Sequence, residues 1–222
     1  PERKIRGLYA TDQGLKNLED ILETRKTPAS MMEKSEMDRL LPKGAVHQGL
    51  ALHTEPLAEV FVQDLIIRTR NQDHALILML DQVTDPHNVG AIMRSACAFG
   101  ADGLIMQRKH SPELTGVLAK TACGGVEHLP AAYEINLSDT IDKLKASGFF
   151  VLGLDERGEQ AIGSIKKGGK TVIVLGAEGK GLRPKVAEHC DELVKLPTSG
   201  PIASLNVSNA AAIALYALHN SQ

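Results

Sequence analysis

Tryptophan is absent from this chain, and aromatic residues make up only 3% of it. Stacking on aromatic platforms therefore cannot dominate any contact with unpaired bases. Cysteine is scarce as well. Cys97, Cys123 and Cys190 are few and odd in number, which excludes a disulfide framework and fits a reducing, cytoplasmic compartment. No apolar run approaches the ~18 residues of a membrane span, so no membrane partner is expected. Pro1-Glu2-Arg3-Lys4 does not read as a signal peptide, and Pro1 is not expected to be the natural start, which is either removed or not part of this chain. An excess of one charge is also lacking: 25 Lys and Arg face 27 Asp and Glu, a net charge of -2. Global basicity therefore announces no nucleic acid, and any phosphate contact must be local. Arg3-Lys4-x-Arg6, Arg108-Lys109 and Lys166-Lys167 could supply it, although a solvated surface accounts for each. Metal-ligand spacing is missing too, since the eight histidines are scattered. Only His189 adjoins a cysteine, Cys190, and adjacent side chains on a helix diverge.

What is present is a regular alternation. A length of 222 residues suits one large domain, or a medium domain with a smaller partner. In the first part, strands are expected at 5–9 and 46–53 and helices at 11–23, 35–41 and 57–67. Ser35 and Asp38 stand at the spacing of a capping box for the second of these helices. The polar stretch 68–74 is the expected boundary. From Ala75 the pattern changes, and Leu76-Ile77-Leu78-Met79-Leu80 reads as a strand covered on both faces. Further strands are expected at 101–106, 149–154, 171–175 and 193–196. Helices are expected at 89–99, 140–146, 183–188 and 202–219, with another opened by Ser111 as N-cap and Pro112. This predicts an α/β fold, a parallel sheet with helices on both faces. Ligands of such sheets bind beyond the C-terminal ends of the strands.

Three loops at those ends carry the unusual residues. The first runs from Asp81 to Arg94. Asp85 and Pro86 suit a helix cap, but capping leaves Asn88 and Arg94 unexplained. These two lie about 120° apart around a helix, so they need not touch. Arg94 sits among Ile92, Met93, Ala96 and Cys97 in sequence. It is either an ordinary half-exposed arginine or a group aimed at another element or an anion. The second loop is Leu175-Gly176-Ala177-Glu178-Gly179-Lys180-Gly181-Leu182. It is neither a Walker A loop nor G-x-G-x-x-G at a first strand, and a tight turn alone would explain its glycines. Glu178 is either solvated or pointed at a partner. The third runs from Leu196-Pro197 through Gly200 to Ser204-Leu205-Asn206-Val207-Ser208-Asn209. Its polar groups need partners, whether backbone, each other or a ligand.

In order and spacing these segments resemble the three motifs of the SpoU (TrmH) family of RNA ribose 2'-O-methyltransferases, part of a superfamily of knotted methyltransferases. The first resembles Asp85-Pro86-x-Asn88-x-Gly90-x-Ile92-x-Arg94. The second resembles Leu175-Gly176-x-Glu178-Gly179-x-Gly181-Leu182, and the third Leu196-Pro197 continuing to Ser204-Leu205-Asn206-Val207-Ser208. Gly44-Ala45-Val46-His47-Gln48-Gly49 is similar to the end of the small N-terminal domain in a bacterial branch that methylates a guanosine of 23S ribosomal RNA. The resemblance implies three regions: residues 1–56 as a partial, L30e-like RNA-binding domain, 57–74 as a linker and helix, and 75–222 as the catalytic domain. It also implies a deep C-terminal trefoil knot, a feature nearly absent among folds, and a homodimer formed through the catalytic domain. S-adenosylmethionine is the implied methyl donor, held by Leu175, Gly176, Ala177, Glu178, Gly181, Leu196, Pro197, Ser204, Leu205 and Asn206. Arg94 corresponds to the family's catalytic arginine, with Asn88, Glu178, Ser204 and Asn206 around it. A guanidinium stays protonated near neutral pH, which favours fixing the RNA phosphate and polarising the attacking oxygen over acting as a base. No metal and no DNA are implied.

The segment Lys120 to Pro130 is close to the same branch and reads as packing and loop support, with Glu127 as a substrate or interface group. Asn209 departs from the usual small apolar residue, and Ser95 from the usual threonine. Two competing readings are the same transfer on transfer RNA and a non-catalytic RNA-binding protein that keeps the fold. Replacement of Arg94 or Asn206 would have favoured the second, and both are present.

Overall fold

The computed structural model describes residues 3–16, 18, 28–114, 116–165, 169–201 and 204–220. They form two compact units, Pro1–Ala58 and Glu59–Gln222. In the smaller unit β1 (Ile5–Ala10) lies between β2 (Ala29–Met31), parallel to it, and β3 (Leu50–Thr54), antiparallel. Leu8, Ala10 and Ala51 of this sheet are buried, as is Met37 of α2 (Lys34–Leu40). The helix expected at 11–23 is described only as α1 (Asp12–Lys16), and most of its remainder lies outside the described residues. The cap of α2 is not Ser35 with Asp38. Instead the Glu33 N–H donates to the Glu36 carboxylate at 3.1 Å, two residues earlier than the sequence suggested. The strand expected from Val46 begins at Leu50 because Gln48 and Gly49 take positive φ. There the Gly49 N–H donates to His47 Nδ1 at 3.0 Å, closing a turn.

In the larger unit seven strands run parallel: β4 (Ala75–Asp81), β5 (Gly103–Gln107), β6 (Ala131–Glu134), β7 (Phe149–Leu154), β8 (Gln160–Ala161), β9 (Lys170–Gly176) and β10 (Glu192–Lys195). Their order is β6-β5-β4-β9-β7-β10-β8. Every residue of β4 is buried, as its unbroken apolar run requires. Side chains alternate between faces along a strand. Ile77, Met79, Val151, Val172 and Val174 share one cluster with α3 (Val62–Thr69), α7 (Leu137–Ala146) and α8 (Pro184–His189). Leu78, Leu80, Ile173 and Leu175 point the other way and are buried too. On that side α9 (Val207–Asn220) packs on β9 and on α4 (Pro86–Ala98), which also meets α5 (Gly116–Thr121) and α6 (Gly125–His128).

Two expectations need correction. The helix read as part of a linker, α3, buries Val62 and Leu65 in the core of the larger unit, which begins at Glu59. Ser111-Pro112 opens no helix. α5 starts at Gly116, and the Pro112 carbonyl instead accepts from the Tyr133 hydroxyl at 2.9 Å. The short strands β2, β6 and β8 carry too few residues for a periodic signal.

Gly90 sits where α4 packs against α5. A Cβ there would lie 2.7 Å from the Leu118 carbonyl oxygen and 2.7 Å from Thr121 Cβ. Alanine at this position gains up to ~1 kcal/mol of helix propensity but forces backbone apart, at ~1–3 kcal/mol. Gly90→Ala should therefore lower the urea midpoint of the larger unit. A midpoint unchanged or raised would show that the helix pair can yield.

Candidate active site

The C-terminal ends of β4 and β9 lie side by side, with Asp81 opposite Gly176 in register. After β4, Asp85 caps α4 by accepting from the His87 N–H at 3.1 Å, with Pro86 in the first helical turn. Asn88 takes no part in that cap. Its Oδ1 accepts from Asn206 Nδ2 at 2.9 Å, across 118 residues of chain. Asn206 Oδ1 in turn accepts from the Ser208 N–H at 2.9 Å, the Ser208 hydroxyl at 2.6 Å and the Asn209 N–H at 3.4 Å. One side chain thus caps α9 and ties it to the first turn of α4. The closing helix therefore begins at Val207, later than the expected residue 202, and Ser204 and Leu205 precede it, exposed. Asn209 contributes its backbone N–H to this cap, and its side chain is exposed.

Arg94 is exposed, and among the described residues its side chain makes no hydrogen bond or ion pair. Its apolar sequence neighbours do not surround it. Val89, Ile92, Met93 and Ala96 form the buried face of α4, and Arg94 stands off that face. Glu178 and Ser204 are likewise exposed and without hydrogen-bond partners among the described residues. Of the five expected catalytic side chains, the structure joins Asn88 to Asn206 and leaves Arg94, Glu178 and Ser204 open to solvent.

The glycine loop is closed at its base. The Gly181 N–H donates to the Ala177 carbonyl at 2.9 Å. A Cβ on Gly176 would lie 2.2 Å from the Gly181 carbonyl carbon, so peptide lies directly on peptide. Gly179 and Gly181 take φ of +76° and +64°, a conformation that favours glycine. Leu175 is buried, Ala177 half-buried, and Glu178 to Lys180 are exposed. In the third loop Leu196 is half-buried and Pro197 to Pro201 are exposed. The Gly176 and Gly181 peptides meet with no side chain between them, which fits a ligand held through backbone contacts, as implied for the methyl donor.

Two carboxylates missed in the sequence stand beside this loop. Asp81 is fully buried and accepts from the Arg183 N–H at 2.9 Å and from Arg183 Nε at 2.7 Å. Asp155, just beyond β7, accepts from the Arg157 N–H, Nε and Nη2 at 3.0, 2.7 and 2.9 Å. It also lies against the glycine loop, with Oδ2 3.3 Å from where a Cβ on Gly181 would stand. The Arg157 hydrogen bond holds the Asp155 carboxyl below the usual carboxylate range, against the opposing effect of burial. A signal existed for Asp81, which ends an unbroken apolar strand. None existed for Asp155 within a polar turn. Burial pushes the Cys97 thiol up and the Cys190 thiol up to about 12, so neither offers a thiolate near neutrality. Among the described residues no group of His, Cys, Asp or Glu is arranged to hold a metal ion, and no helix is long and apolar enough to cross a membrane.

A double-mutant cycle on Asn88→Ala and Asn206→Ala tests the tie between the helices. Each change should destabilise, Asn206→Ala by ~1 kcal/mol or more because it also removes a cap. A coupling of ~0.5–1.5 kcal/mol is expected, whereas strict additivity would show that the bond contributes nothing. Asp155 makes a pH prediction. A carboxyl depressed in the folded state stabilises above its unfolded pKa, and that stability is lost as pH falls through the folded value. The stability gap between wild type and Asp155→Asn should therefore be full near neutrality and shrink steadily below about pH 4. A gap independent of pH would mean that the charge is not what matters.

The SpoU rRNA Methylase family matches residues 75–216 of the chain. A Pseudomonas putida protein named 23S rRNA (guanosine-2'-O-)-methyltransferase RlmB is 40% identical over 91% of the chain and 81% of its own length. A Mycolicibacterium smegmatis protein named as an uncharacterized tRNA/rRNA methyltransferase is 37% identical over 93% of the chain, which spans 62% of that protein. The SpoU methyltransferase AviRb of Streptomyces viridochromogenes, crystallised with the cofactor AdoMet, superposes with a TM-score of 0.80 at 26% identity, over 98% of this chain and 83% of that one. With its three motifs brought to the ends of a parallel sheet, the chain belongs to the SpoU rRNA Methylase family.

Proposed function

We propose that this chain transfers the methyl group of S-adenosylmethionine to the ribose 2'-hydroxyl of a guanosine in 23S ribosomal RNA. The observation that carries the reading is the Asn206–Asn88 hydrogen bond, 2.9 Å long, which brings the first and third motifs together beside the ends of β4 and β9. The named activity of the Pseudomonas putida relative and the AdoMet complex of AviRb support the choice of substrate and donor.

S-adenosylmethionine supplies an electrophilic methyl group, and the chain must place the ribose oxygen in line with it. Leu175, Gly176, Ala177, Glu178 and Gly181, with Leu196, Pro197, Ser204, Leu205 and Asn206, are the residues that would hold it. Arg94 is unspent on any partner among the described residues, so its guanidinium is free to take an RNA phosphate and to polarise the 2'-oxygen as its proton leaves. Asn88 and Asn206 hold the helix that carries Arg94 in register with the third loop. Glu178 and Ser204 orient the ribose from the loops they sit on.

The smaller unit, Pro1–Ala58, is read as an L30e-like contact for the RNA. The return of the chain from β10 to α9, which packs on α4 and on the 3-10 turn Ile162–Ser164, is read as the knot. A second copy would pair through the catalytic unit, where α9 exposes Ile213 and Tyr216. With a ribosomal RNA substrate, the protein would act in the cytoplasm.

The test is methyl transfer from labelled S-adenosylmethionine to unmodified ribosomal and transfer RNA, followed by mapping of the modified ribose. Wild type should label one guanosine of 23S RNA, and Arg94→Ala should lose ~10²-fold or more in kcat. Labelling of transfer RNA alone would overturn the substrate. Undiminished activity in Arg94→Ala would overturn the role of the arginine.

A further inference from the structure

The two carboxylates beside the glycine loop hold its closing end. Asp81 takes the Arg183 N–H and Asp155 packs over Gly181, so the loop is held from opposite sides. The sides are fixed by topology, because β4 and β7 are the two strands that flank β9. Each acid also has its own arginine: Arg183 Nε on Asp81 and a fork from Arg157 on Asp155. Asp155 Oδ2 lies 3.3 Å from where a Cβ on Gly181 would stand.

Such a clasp answers a specific difficulty. Gly176, Gly179 and Gly181 let the loop turn and leave peptide edges free, but glycine loses the most conformational freedom on ordering. The loop closes on itself with one backbone hydrogen bond, Gly181 to Ala177. Arg183, at the N-cap position of α8, has no side chain suited to capping, and its N–H goes to Asp81 instead. Charge-assisted bonds to buried carboxylates are short and directional. Asp81 pins Arg183 and Asp155 covers Gly181, without occupying the outward surface of Glu178 to Lys180.

We propose that Asp81 and Asp155, with Arg183 and Arg157, are positioning residues that hold the glycine loop in its donor-binding shape, and so set the affinity for S-adenosylmethionine without touching it. The proposal rests on the methyl-transfer reading above. A merely structural role would lower stability and leave the kinetic constants of the folded fraction alone, whereas a positioning role separates donor affinity from turnover.

The experiment is calorimetric titration of the full chain with S-adenosylhomocysteine, together with steady-state methyl transfer. The variants are Asp81→Asn, Asp155→Asn and Asp155→Glu, each checked by circular dichroism and thermal melting. Both Asn variants should weaken binding about tenfold or more and raise KM for the donor in parallel. Their kcat at saturating donor should stay within about threefold of wild type, and KM for RNA should not move. Asp155→Glu, which keeps the charge, should recover part of the affinity. If Asp81→Asn does not fold, Asp155→Asn decides, because its carboxylate lies nearer the surface, with 7% of the side chain exposed. Unchanged donor affinity in a folded Asn variant, or a loss confined to kcat or to KM for RNA, overturns the proposal. Failure of the underlying reading is separate, since it would show in wild type as neither ligand binding nor methyl transfer.

Discussion

The hydrogen bond from Asn206 to Asn88 is the contact on which the arrangement of the site depends. Asn206 has one amide to spend, and spends both ends of it. Its oxygen starts α9, and its nitrogen requires that this start lie against the first turn of α4. Neither bond is strong by itself, at ~1 kcal/mol. Their effect is on register. The stretch between β10 and α9 is fixed at Lys195 by strand pairing and at Asn206 by this tie to the first turn of α4. Replacing the amide with a carboxylate would keep a cap and lose the simultaneous donor.

The sheet gives this tie something rigid to act on. β4, β9 and β7 are adjacent and largely buried, and interiors packed to crystal-like density deform little. The loops that carry the motifs leave from β4, β9 and β10. β7 intervenes between β9 and β10 and carries none of the motif residues. It is nevertheless part of the site, because the turn beyond it delivers Asp155 to the base of the glycine loop. The close approach of Gly176 to Gly181, and that of Gly153 to Leu193 and Leu182, show how little space separates these ends. A side chain at either position would push apart backbone or core rather than surface.

Much of the larger unit was legible because its strands are continuous apolar runs. β4 and β9 are read correctly for the same reason that they are buried: water reaches neither face. Capping chemistry was legible at Asp85-Pro86, where local geometry decides the outcome. It was misread at Ser35 and at Ser111-Pro112, where an equally local rule was overruled, once by the Glu33–Glu36 cap and once by the tertiary bond from Tyr133. The site divides in the same way. Asn88, Arg94, Glu178, Ser204 and Asn206 stood out as polar residues in places that capping or turns did not need. That Asn88 and Asn206 meet is a fact of topology across 118 residues, which no local pattern encodes. Asp81 and Asp155 escaped notice because an acid at a strand end is unremarkable until its depth and its arginine are known.

The near-neutral charge of the chain says little about how it would treat an anionic partner. Many of its acids are already matched: Asp81 with Arg183, Asp155 with Arg157, Glu59 with Arg108, Asp191 with Lys145. Such pairs cancel at short range and contribute almost no field a few ångströms away. Screening at physiological salt reaches about 8 Å, so an exposed phosphate senses only the charges nearest to it. Arg94 on α4 is exposed and unmatched among the described residues, and so is Lys180 at the tip of the glycine loop. What matters for phosphate is therefore which cations are left unspent: Arg183 and Arg157 are engaged by Asp81 and Asp155, and Arg94 is not engaged among the described residues. The internal salt bridges and the anion-facing surface are thus two consequences of a single distribution of arginines.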